Sequence, residues 1–392
     1  MVEQTIDLQQ VRRDLHAIPE LSLHEVKTKA YLKKLIESLG CSFLETREVP
    51  ALPTALLVRL KGKNPKKTIG YRADIDALPI EEKTGLPFAS SHPGQMHACG
   101  HDIHMTVALG ILAYFASHQP NDNLVFVFQP AEEEHAGGKQ LYESGALSGD
   151  FLPDEIYALH DQPALPSGQV ATLQGTLFAG TTEIHLTVRG QGGHAAYPHQ
   201  AKDAVVAAAA FVSQVQSVVS RSVNPIHGGV VTIGSFHAGT IGNVIAGEAQ
   251  LEGTIRAFTQ VDLTMMQERV QAISDGIALS YGVTMDLELE QGGYYPVEND
   301  PAITADFINF MAENPDIDFA EAEPAMTGED FGYLLQKIPG TMFWLGVGDP
   351  DHSLHDARLN PDEGALDAGV KAMIAYLEWR MAENQQNQSV AM

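Results

Sequence analysis

The sequence is poor in cysteine and in positive charge. Cys41 and Cys99 are its two cysteines among 392 residues, too few for a disulfide framework, so a reducing compartment is expected. Lys and Arg together number 24 against 50 Asp and Glu, which gives a formal net charge of −26. Such an acidic surface repels phosphate backbones and argues against a nucleic-acid partner.

The sequence also predicts neither a signal peptide nor a membrane-spanning segment. The first residues lack the basic flank and apolar stretch of a signal peptide, and we expect that no apolar run reaches membrane-spanning length. A cytoplasmic protein without a membrane partner is therefore expected. The length allows two or three domains.

Apolar spacing outside the middle of the chain indicates an α/β domain. Residues 8–39 carry a helical pattern that ends at Gly40, a common helix stop. Short apolar runs rich in β-branched and aromatic residues then predict strands at 54–60, 68–71, 124–128, 155–159 and 341–345, with a helix at 103–117. This alternation is typical of a largely parallel central sheet flanked by helices.

The middle of the chain has a different order of elements. Strands are predicted at 183–188, 230–236, 249–257 and 283–289, with helices at 203–222 and 263–281. The order β-α-β-β-α-β predicts a ferredoxin-like α+β insert. We expect a catalytic domain in two parts, residues 1–180 and 291–392, interrupted by a lid or dimerisation domain at 181–290.

Acidic residues and histidines follow the predicted strands of the first domain. Ligands of open α/β sheets gather beyond the carboxyl ends of the strands, so these positions predict a site. A carboxylate after a strand is commonly a helix cap, and a lone His or Cys is commonly structural. Thiol, imidazole and carboxylate groups converging on one edge instead indicate a metal centre; the candidates are Asp74, Asp76, Cys99, His101, Glu132, Glu133, His160 and His355.

Five of these candidates are predicted metal ligands: Cys99, His101, Glu133, His160 and His355. Five ligands are too many for one tetrahedral catalytic zinc with an open position, and they suit two divalent ions, with Cys99 able to bridge them. Zinc is the first expectation, because a thiolate favours softer ions, and manganese, cobalt or nickel are alternatives. His352 is a weaker competitor for the role of His355.

Hydrolysis of an amide also needs a base, and adjacent carboxylates can divide the work. We assign Glu132 as the base and Glu133 as the ligand, although the reverse assignment is open at this stage. Asp74 and Asp76 are expected to orient a ligand imidazole or to balance the metal charge.

Three residues of the insert are candidates for contact with substrate. His194 lies in a glycine-rich stretch and could reach a developing oxyanion, but an ordinary loop histidine is equally compatible. Asn243 and Arg256 could grip a substrate carboxylate, Arg256 through its bidentate fork, and a structural role is nearly as well supported.

Six motifs carry a resemblance to a known family. They are RRDLHAIPE (12–20), RADIDALP (72–79), MHACGHD (96–102), QPAEE (129–133), GGH (192–194) and TGEDF (327–331). The chain resembles the dinuclear aminoacylase and carboxypeptidase family of metallopeptidases, in its amidohydrolase branch. Stretches 84–90, 177–181, 291–299 and 323–335 further resemble bacterial deacetylases of that branch that act on an N-acetylated diamino acid.

The resemblance implies a two-domain fold with a lid and a homodimer formed through that lid. It also implies the metal roles given above, Glu132 as base and His194 as oxyanion donor. The expected reaction is attack of a metal-activated water on an acetamide carbonyl, releasing acetate and an amine. The alternatives are a broader aminoacylase or hippurate-type hydrolase, a dipeptidase, and a non-catalytic metal-binding or ligand-binding protein on the same scaffold.

Overall fold

The structure is a computed structural model that describes residues 6–390, with side chains through residue 386. Its helices are α1 (Leu8–His16), α2 (Val26–Ser38), α3 (His101–Ser117), α4 (Gly137–Glu143), α5 (Ala204–Ser222), α6 (Gln260–Tyr281), α7 (Pro301–Glu313), α8 (Phe331–Leu335) and α9 (Gly364–Val390). Short 3₁₀ turns occur at Gly149–Phe151 and Pro198–Gln200.

The strands are β1 (Leu44–Glu48), β2 (Leu56–Leu60), β3 (Thr68–Asp74), β4 (Asn123–Gln129), β5 (Glu155–Gln162), β6 (Val170–Thr172), β7 (Gly175–Phe178), β8 (Gly180–Arg189), β9 (Gly193–His194), β10 (Val230–Ala238), β11 (Val244–Ile245), β12 (Glu248–Ala257), β13 (Thr284–Glu290), β14 (Val297–Asn299), β15 (Phe319–Glu321) and β16 (Gly340–Gly346). Each strand predicted for the first domain is present, and β3, β4 and β5 extend by one to three residues beyond the predicted carboxyl ends.

The chain divides into two compact units. The first unit runs to Leu177 and includes Glu298–Glu323 and the chain from Tyr333 onward. The second unit comprises Phe178–Val297 and Pro324–Gly332.

An eight-stranded mixed sheet forms the centre of the first unit, in the order β1-β2-β4-β3-β5-β16-β6-β15. Its middle strands, β4, β3, β5 and β16, are parallel to one another, whereas β2 and β6 pair antiparallel with β4 and β16. Side chains of this sheet pack with α3 and α9 into one apolar core, in which Phe126, Phe343 and Tyr376 are fully buried. The structure thus confirms the predicted α/β class with a largely parallel central sheet.

The helical pattern at residues 8–39 corresponds to two helices, α1 and α2, separated by nine residues that are not helical. Both helices carry the apolar spacing, but Pro19 lies between them and lacks the backbone N–H that a helix interior needs. Glu20 Oε2 accepts hydrogen bonds from the N–H groups of Lys27 and Thr28 at 2.7 and 2.9 Å, which satisfies the free start of α2. Gly40, at φ +57°, follows the end of α2 as predicted.

The second unit has the predicted β-α-β-β-α-β order of long elements. Its sheet is antiparallel, in the order β10-β12-β8-β13. Helices α5 and α6 pack on one core with this sheet, around Phe211, Val215, Met266 and Val270. A two-stranded pairing of β9 with β11 adds to the unit.

Helix α5 corrects the expectation about apolar length. Ala204–Ser222 is long and apolar enough to cross a membrane by length and composition. One or two helices of this kind are weak evidence, because core helices of soluble proteins pass the same test. Ala207, Phe211 and Val215 of α5 are buried in the core of the second unit, and 33% of its apolar window is buried in all.

Candidate metal centre

Three parallel strands deliver acids and histidines to one edge of the large sheet. Strand β3 ends at Asp74, which pairs in register with Gln129 at the end of β4. On the other side of β3, strand β5 continues in parallel through His160 and Asp161. Because all three strands run in the same direction, the residues that follow them meet at the carboxyl edge.

The five predicted ligands are brought together there. One sulfur and two ring nitrogen atoms lie within 4.8 Å of one another in the group of Cys99, His101 and His160. The same limit holds for Cys99, Glu133 and His355. Cys99 is common to both groups, which is the arrangement expected of a thiolate that faces two cations.

Pair distances within the cluster are those of side chains that face a common centre. Cys99 Sγ lies 3.6 Å from His160 Nε2, and His355 Nε2 lies 3.6 Å from Glu133 Oε2. His101 Nε2 is 3.9 Å from one oxygen of Glu132 and 3.9 Å from one of Glu133. Both glutamates are thus within reach of the cluster.

The loops that carry Cys99 and His355 are fastened to each other. The His355 N–H donates to the Ala98 carbonyl oxygen at 2.8 Å. A small apolar cluster beneath the two loops contains Met96, Ala98 and Leu359. His352 instead lies 2.9 Å from the Asp349 carboxylate through Nδ1, so the structure brings His355, and not His352, beside Glu133.

Asp76 contacts His101, a predicted metal ligand, through both its backbone and its side chain. The His101 Nδ1 atom lies 2.9 Å from the Asp76 carbonyl oxygen and 3.3 Å from its carboxylate. An Nδ1–H that donates there leaves Nε2 free to bind a cation. Asp76 Oδ2 also accepts the Glu133 N–H at 3.0 Å.

Asp74 lies deeper, against Arg72. The Arg72 guanidinium donates to Asp74 Oδ2 at 2.6 Å, and His101 Nε2 is 3.6 Å from the same oxygen. Burial alone would raise the pKa of Asp74, but the positive charge of Arg72 and of the neighbouring imidazoles outweighs it and holds that pKa well below its ordinary value. Asp74 therefore contributes a fixed negative charge beside His101.

Atoms of the cluster fit a divalent cation. His101 Nε2 and Glu133 Oε1 are buried and have no hydrogen-bond partner among the described residues, which is costly unless another group binds them. Burial, and then the charges of Glu133 and Glu132, raises the pKa of the Cys99 thiol well above its ordinary value. Burial also raises the pKa of Glu133 to about 7. A cation at this position would compensate for both effects.

His104, which is 1% exposed, was not among the residues predicted for the site. His104 Nδ1 lies 2.5 Å from Asp74 Oδ1, and its Nε2 lies 3.1 Å from Asp161 Oδ1. The imidazole therefore joins two carboxylates that border His101 and His160. Its spacing of three from His101 on one helix was the available signal, because residues i and i+3 share a helix face. The signal was lost because the predicted helix began at residue 103, whereas α3 begins at His101.

The three candidates of the insert lie in the second unit. His194 and Val244 are partners in the β9–β11 pairing, so His194 lies beside Asn243, whose carbonyl oxygen accepts the Ala195 N–H at 3.2 Å. His194 is exposed, and its Nδ1 accepts the Ala196 N–H at 3.1 Å. Arg256 lies on β12, with its guanidinium 3.8 Å from the Glu183 carboxylate.

Comparisons with known proteins agree on one family. Residues 70–379 match peptidase family M20/M25/M40. A protein of Lactobacillus helveticus (strain DPC 4571) named N-acetyldiaminopimelate deacetylase is 58% identical over 375 residues, which cover 96% of this chain and 98% of the relative. A protein of the same name from Lactiplantibacillus plantarum (strain ATCC BAA-793 / NCIMB 8826 / WCFS1) is 59% identical over 382 residues, which cover 97% and 99%.

A solved structure is similar over the same length. The Bacillus subtilis YXEP protein, described as a dinuclear metal-binding peptidase of the M20 family, superposes with a TM-score of 0.82 at 31% identity. The match covers 96% of this chain and 98% of that one.

Proposed function

The chain belongs to peptidase family M20/M25/M40, and from that premise we propose that it hydrolyses N-acetyl-LL-2,6-diaminopimelate to LL-2,6-diaminopimelate and acetate, a deacetylation of lysine biosynthesis. The chain is a hydrolase. Its substrate is a small N-acyl amino acid, and the diaminopimelate assignment rests on relatives of that name that are 58–59% identical over nearly the whole chain.

One observation carries the chemistry, namely that Cys99 is common to two groups of candidate ligand atoms. We propose that Cys99, His101, Glu133, His160 and His355 hold two divalent ions, with zinc first and manganese, cobalt or nickel as alternatives. Such ions supply a water of lowered pKa and polarise the amide carbonyl.

The residues of the chain divide the remaining work. Glu132, 5% exposed, takes a proton from the attacking water and returns it to the leaving nitrogen. Asp76 orients the His101 ring through the contacts at Nδ1, and Asp74 supplies the fixed charge beside it. His194 donates to the oxyanion of the tetrahedral intermediate, while Asn243 and Arg256 bind a substrate carboxylate.

We further propose a homodimer formed through the second unit and a cytoplasmic location. Exposed apolar side chains of that unit, among them Val206, Phe236, Ile241 and Val244, support a contact surface. A biosynthetic reaction and two free cysteines fit a reducing compartment.

A substrate panel with metal analysis tests the proposal. The purified chain would be assayed for acetate release from N-acetyl-LL-diaminopimelate, from simple N-acetyl amino acids and from hippurate, each with zinc, manganese or cobalt. We expect the highest kcat/KM for the first substrate. Equal or better turnover of apolar N-acyl amino acids would favour the broader aminoacylase. The variant Glu132→Gln should retain both ions and lose turnover, and full activity in it would exclude Glu132 as the base.

A further inference from the structure

A buried glutamate far from the cluster in sequence holds the turn that presents Glu132 and Glu133. Glu25 is fully buried at the start of α2. Its Oε1 atom accepts two backbone N–H groups, from Leu23 at 2.9 Å and from Ala131 at 2.9 Å. Ala131 immediately precedes Glu132. One carboxylate oxygen of Glu25 therefore links Leu23, in the segment between α1 and α2, to the turn that carries Glu132 and Glu133.

Both donors have a backbone conformation that L-residues rarely adopt. Leu23 has φ +66° and Ala131 has φ +60°. For a residue with a Cβ atom this region costs about 1–2 kcal/mol, and such residues persist only where their surroundings hold them. Two left-handed residues that share one buried acceptor indicate that Glu25 is part of what holds them.

The other side of Glu132 is tied to the same segment of chain. The Glu133 N–H donates to Asp76 Oδ2 at 3.0 Å, and the Ser22 hydroxyl donates to that oxygen at 2.7 Å. The backbone is therefore fixed immediately before and immediately after Glu132. Glu25 contacts the backbone before Glu132, at Ala131, and Ser22 supports the backbone after it, at Glu133, through Asp76.

The turn itself has little freedom to move elsewhere. The Gly137 N–H donates to the Ala131 carbonyl oxygen at 2.9 Å. A Cβ atom on Gly137 would lie 1.8 Å from the Pro130 carbonyl oxygen, so the backbone at Gly137 packs directly against the start of the turn at Pro130. In this packed turn the Ala131 N–H has no route to solvent, and a buried N–H without an acceptor is destabilising.

We propose that Glu25 is a positioning residue: it holds Ala131 in the left-handed conformation and thereby keeps Glu132 and Glu133 at their distances from His101. An apolar side chain would fill the same space without burying a polar group, so its two N–H contacts are the reason for a carboxyl group at this position. The inference deepens the proposed function and rests on it for turnover, but its effect on metal binding does not depend on the substrate.

The test compares Glu25→Met and Glu25→Gln with Glu20→Met as a matched control. Glu20 is a second carboxylate of the same segment, 9% exposed, whose Oε2 accepts N–H groups of α2 instead of the catalytic turn. Each variant is measured for Zn²⁺ affinity by chelator competition, for amide hydrogen exchange of residues 129–136, and for kcat and KM.

Glu25→Met should lower Zn²⁺ affinity and kcat by about 10–100-fold, the range seen when a residue that supports a ligand is lost, while KM changes little. The Ala131 amide should exchange faster. Glu25→Gln should keep most of the wild-type Zn²⁺ affinity and kcat, because the amide oxygen still accepts two N–H groups. Glu20→Met should lower the melting temperature but leave Zn²⁺ affinity and kcat near wild type.

The inference is overturned if Glu25→Met and Glu20→Met change Zn²⁺ affinity equally, or if exchange at Ala131 is unchanged in Glu25→Met. Should Glu25→Met fail to fold, Glu25→Asp withdraws the carboxylate by one methylene and should give the same pattern, judged by the same two measurements. Wild-type protein that binds Zn²⁺ yet does not turn over N-acetyl-LL-diaminopimelate would refute the proposed substrate and leave the Glu25 result intact.

Discussion

Asp161 occupies the space where Gly100 would carry a side chain. A Cβ atom built on Gly100 would lie 2.2 Å from Asp161 Oδ1. The same oxygen lies 3.1 Å from His104 Nε2 and 3.3 Å from His160 Nδ1. Gly100, at φ +77°, is also the residue from which α3 begins, so the missing side chain allows the carboxylate to fit between the helix start and two imidazoles.

Gly100→Ala should therefore weaken both the fold and metal binding. The added methyl group displaces Asp161, and alanine is strained at this φ, so the free energy of unfolding should fall by about 2 kcal/mol or more. Zn²⁺ affinity should fall with it, because the displaced Asp161 carboxylate no longer lies 3.3 Å from His160 Nδ1. Urea unfolding and Zn²⁺ titration measure the two effects.

Gly276→Ala is the matched control for that variant. Gly276 lies inside α6, and nothing lies within 4 Å of a Cβ atom built on it. Alanine there should stabilise the chain by up to about 1 kcal/mol through helix propensity. Similar losses in the two variants would contradict the role given to Gly100.

Removal of divalent metal should destabilise the protein and be reversible. His101 Nε2 and Glu133 Oε1 are buried and have no hydrogen-bond partner within residues 6–386, and ions that bind them would stabilise only the folded chain. Zn²⁺ at 100 times its dissociation constant should add about 2.7 kcal/mol for one site. Thermal unfolding before and after chelation, and again after Zn²⁺ is restored, measures the change. Cys99→Ala should show a much smaller shift, and a full shift in that variant would place the ions elsewhere.

Replacing His104 should disturb the cluster although His104 is not a proposed ligand. Its ring joins Asp74 to Asp161, and His104→Gln leaves at least one of these buried carboxylates without its partner. Loss of one partner of a buried pair costs about 3–5 kcal/mol, and we expect lower Zn²⁺ content in the folded fraction. His185→Gln, at an exposed position on β8, should change neither. Normal zinc content in His104→Gln would limit the residue to a structural role.

The sequence was sufficient for five of the eight strands of the large sheet, β2, β3, β4, β5 and β16, because each is a short apolar run that ends at polar residues, whereas β1, β6 and β15 were not predicted. Knowing where β3, β4 and β5 end was enough to expect Asp74, Glu132, Glu133 and His160 near one another, since parallel neighbours share a carboxyl edge. No such rule connects His355 to Cys99. That proximity depends on a loop contact at Ala98, and the sequence indicated it only through the position of His355 after the predicted strand at 341–345 and through the family resemblance.

Residues that act through backbone contacts could not be found in the same way. Glu25 looks like a surface glutamate at the start of a helix, and nothing in its neighbours indicates that its carboxylate reaches Ala131, 106 residues away. The left-handed conformation of Ala131 is equally hidden, because glycine is the residue that normally signals it. Both features are consequences of tertiary packing.

Acid should remove the stabilisation that an ion pair contributes at Glu155, the first residue of β5. Glu155 accepts Arg380 Nε at 2.8 Å and Nη2 at 2.9 Å, and Lys67 Nζ lies 2.9 Å away. Burial alone would raise the pKa of Glu155, but hydrogen bonds and charge from Arg380 and Lys67 outweigh it, so its pKa is lower than usual. A lowered pKa in the folded state means that the pair stabilises the fold above the unfolded pKa of about 4.3, and that this contribution is lost as pH falls through the lower folded value.

Glu155→Gln should therefore be less stable than wild type at pH 7, with a difference that shrinks below about pH 4. Urea unfolding of both proteins between pH 7 and 3 measures the difference, with Glu313→Gln, at an exposed position of α7, as the control for loss of one carboxylate. Parallel stability curves for wild type and Glu155→Gln would show that the pair contributes nothing that depends on ionisation.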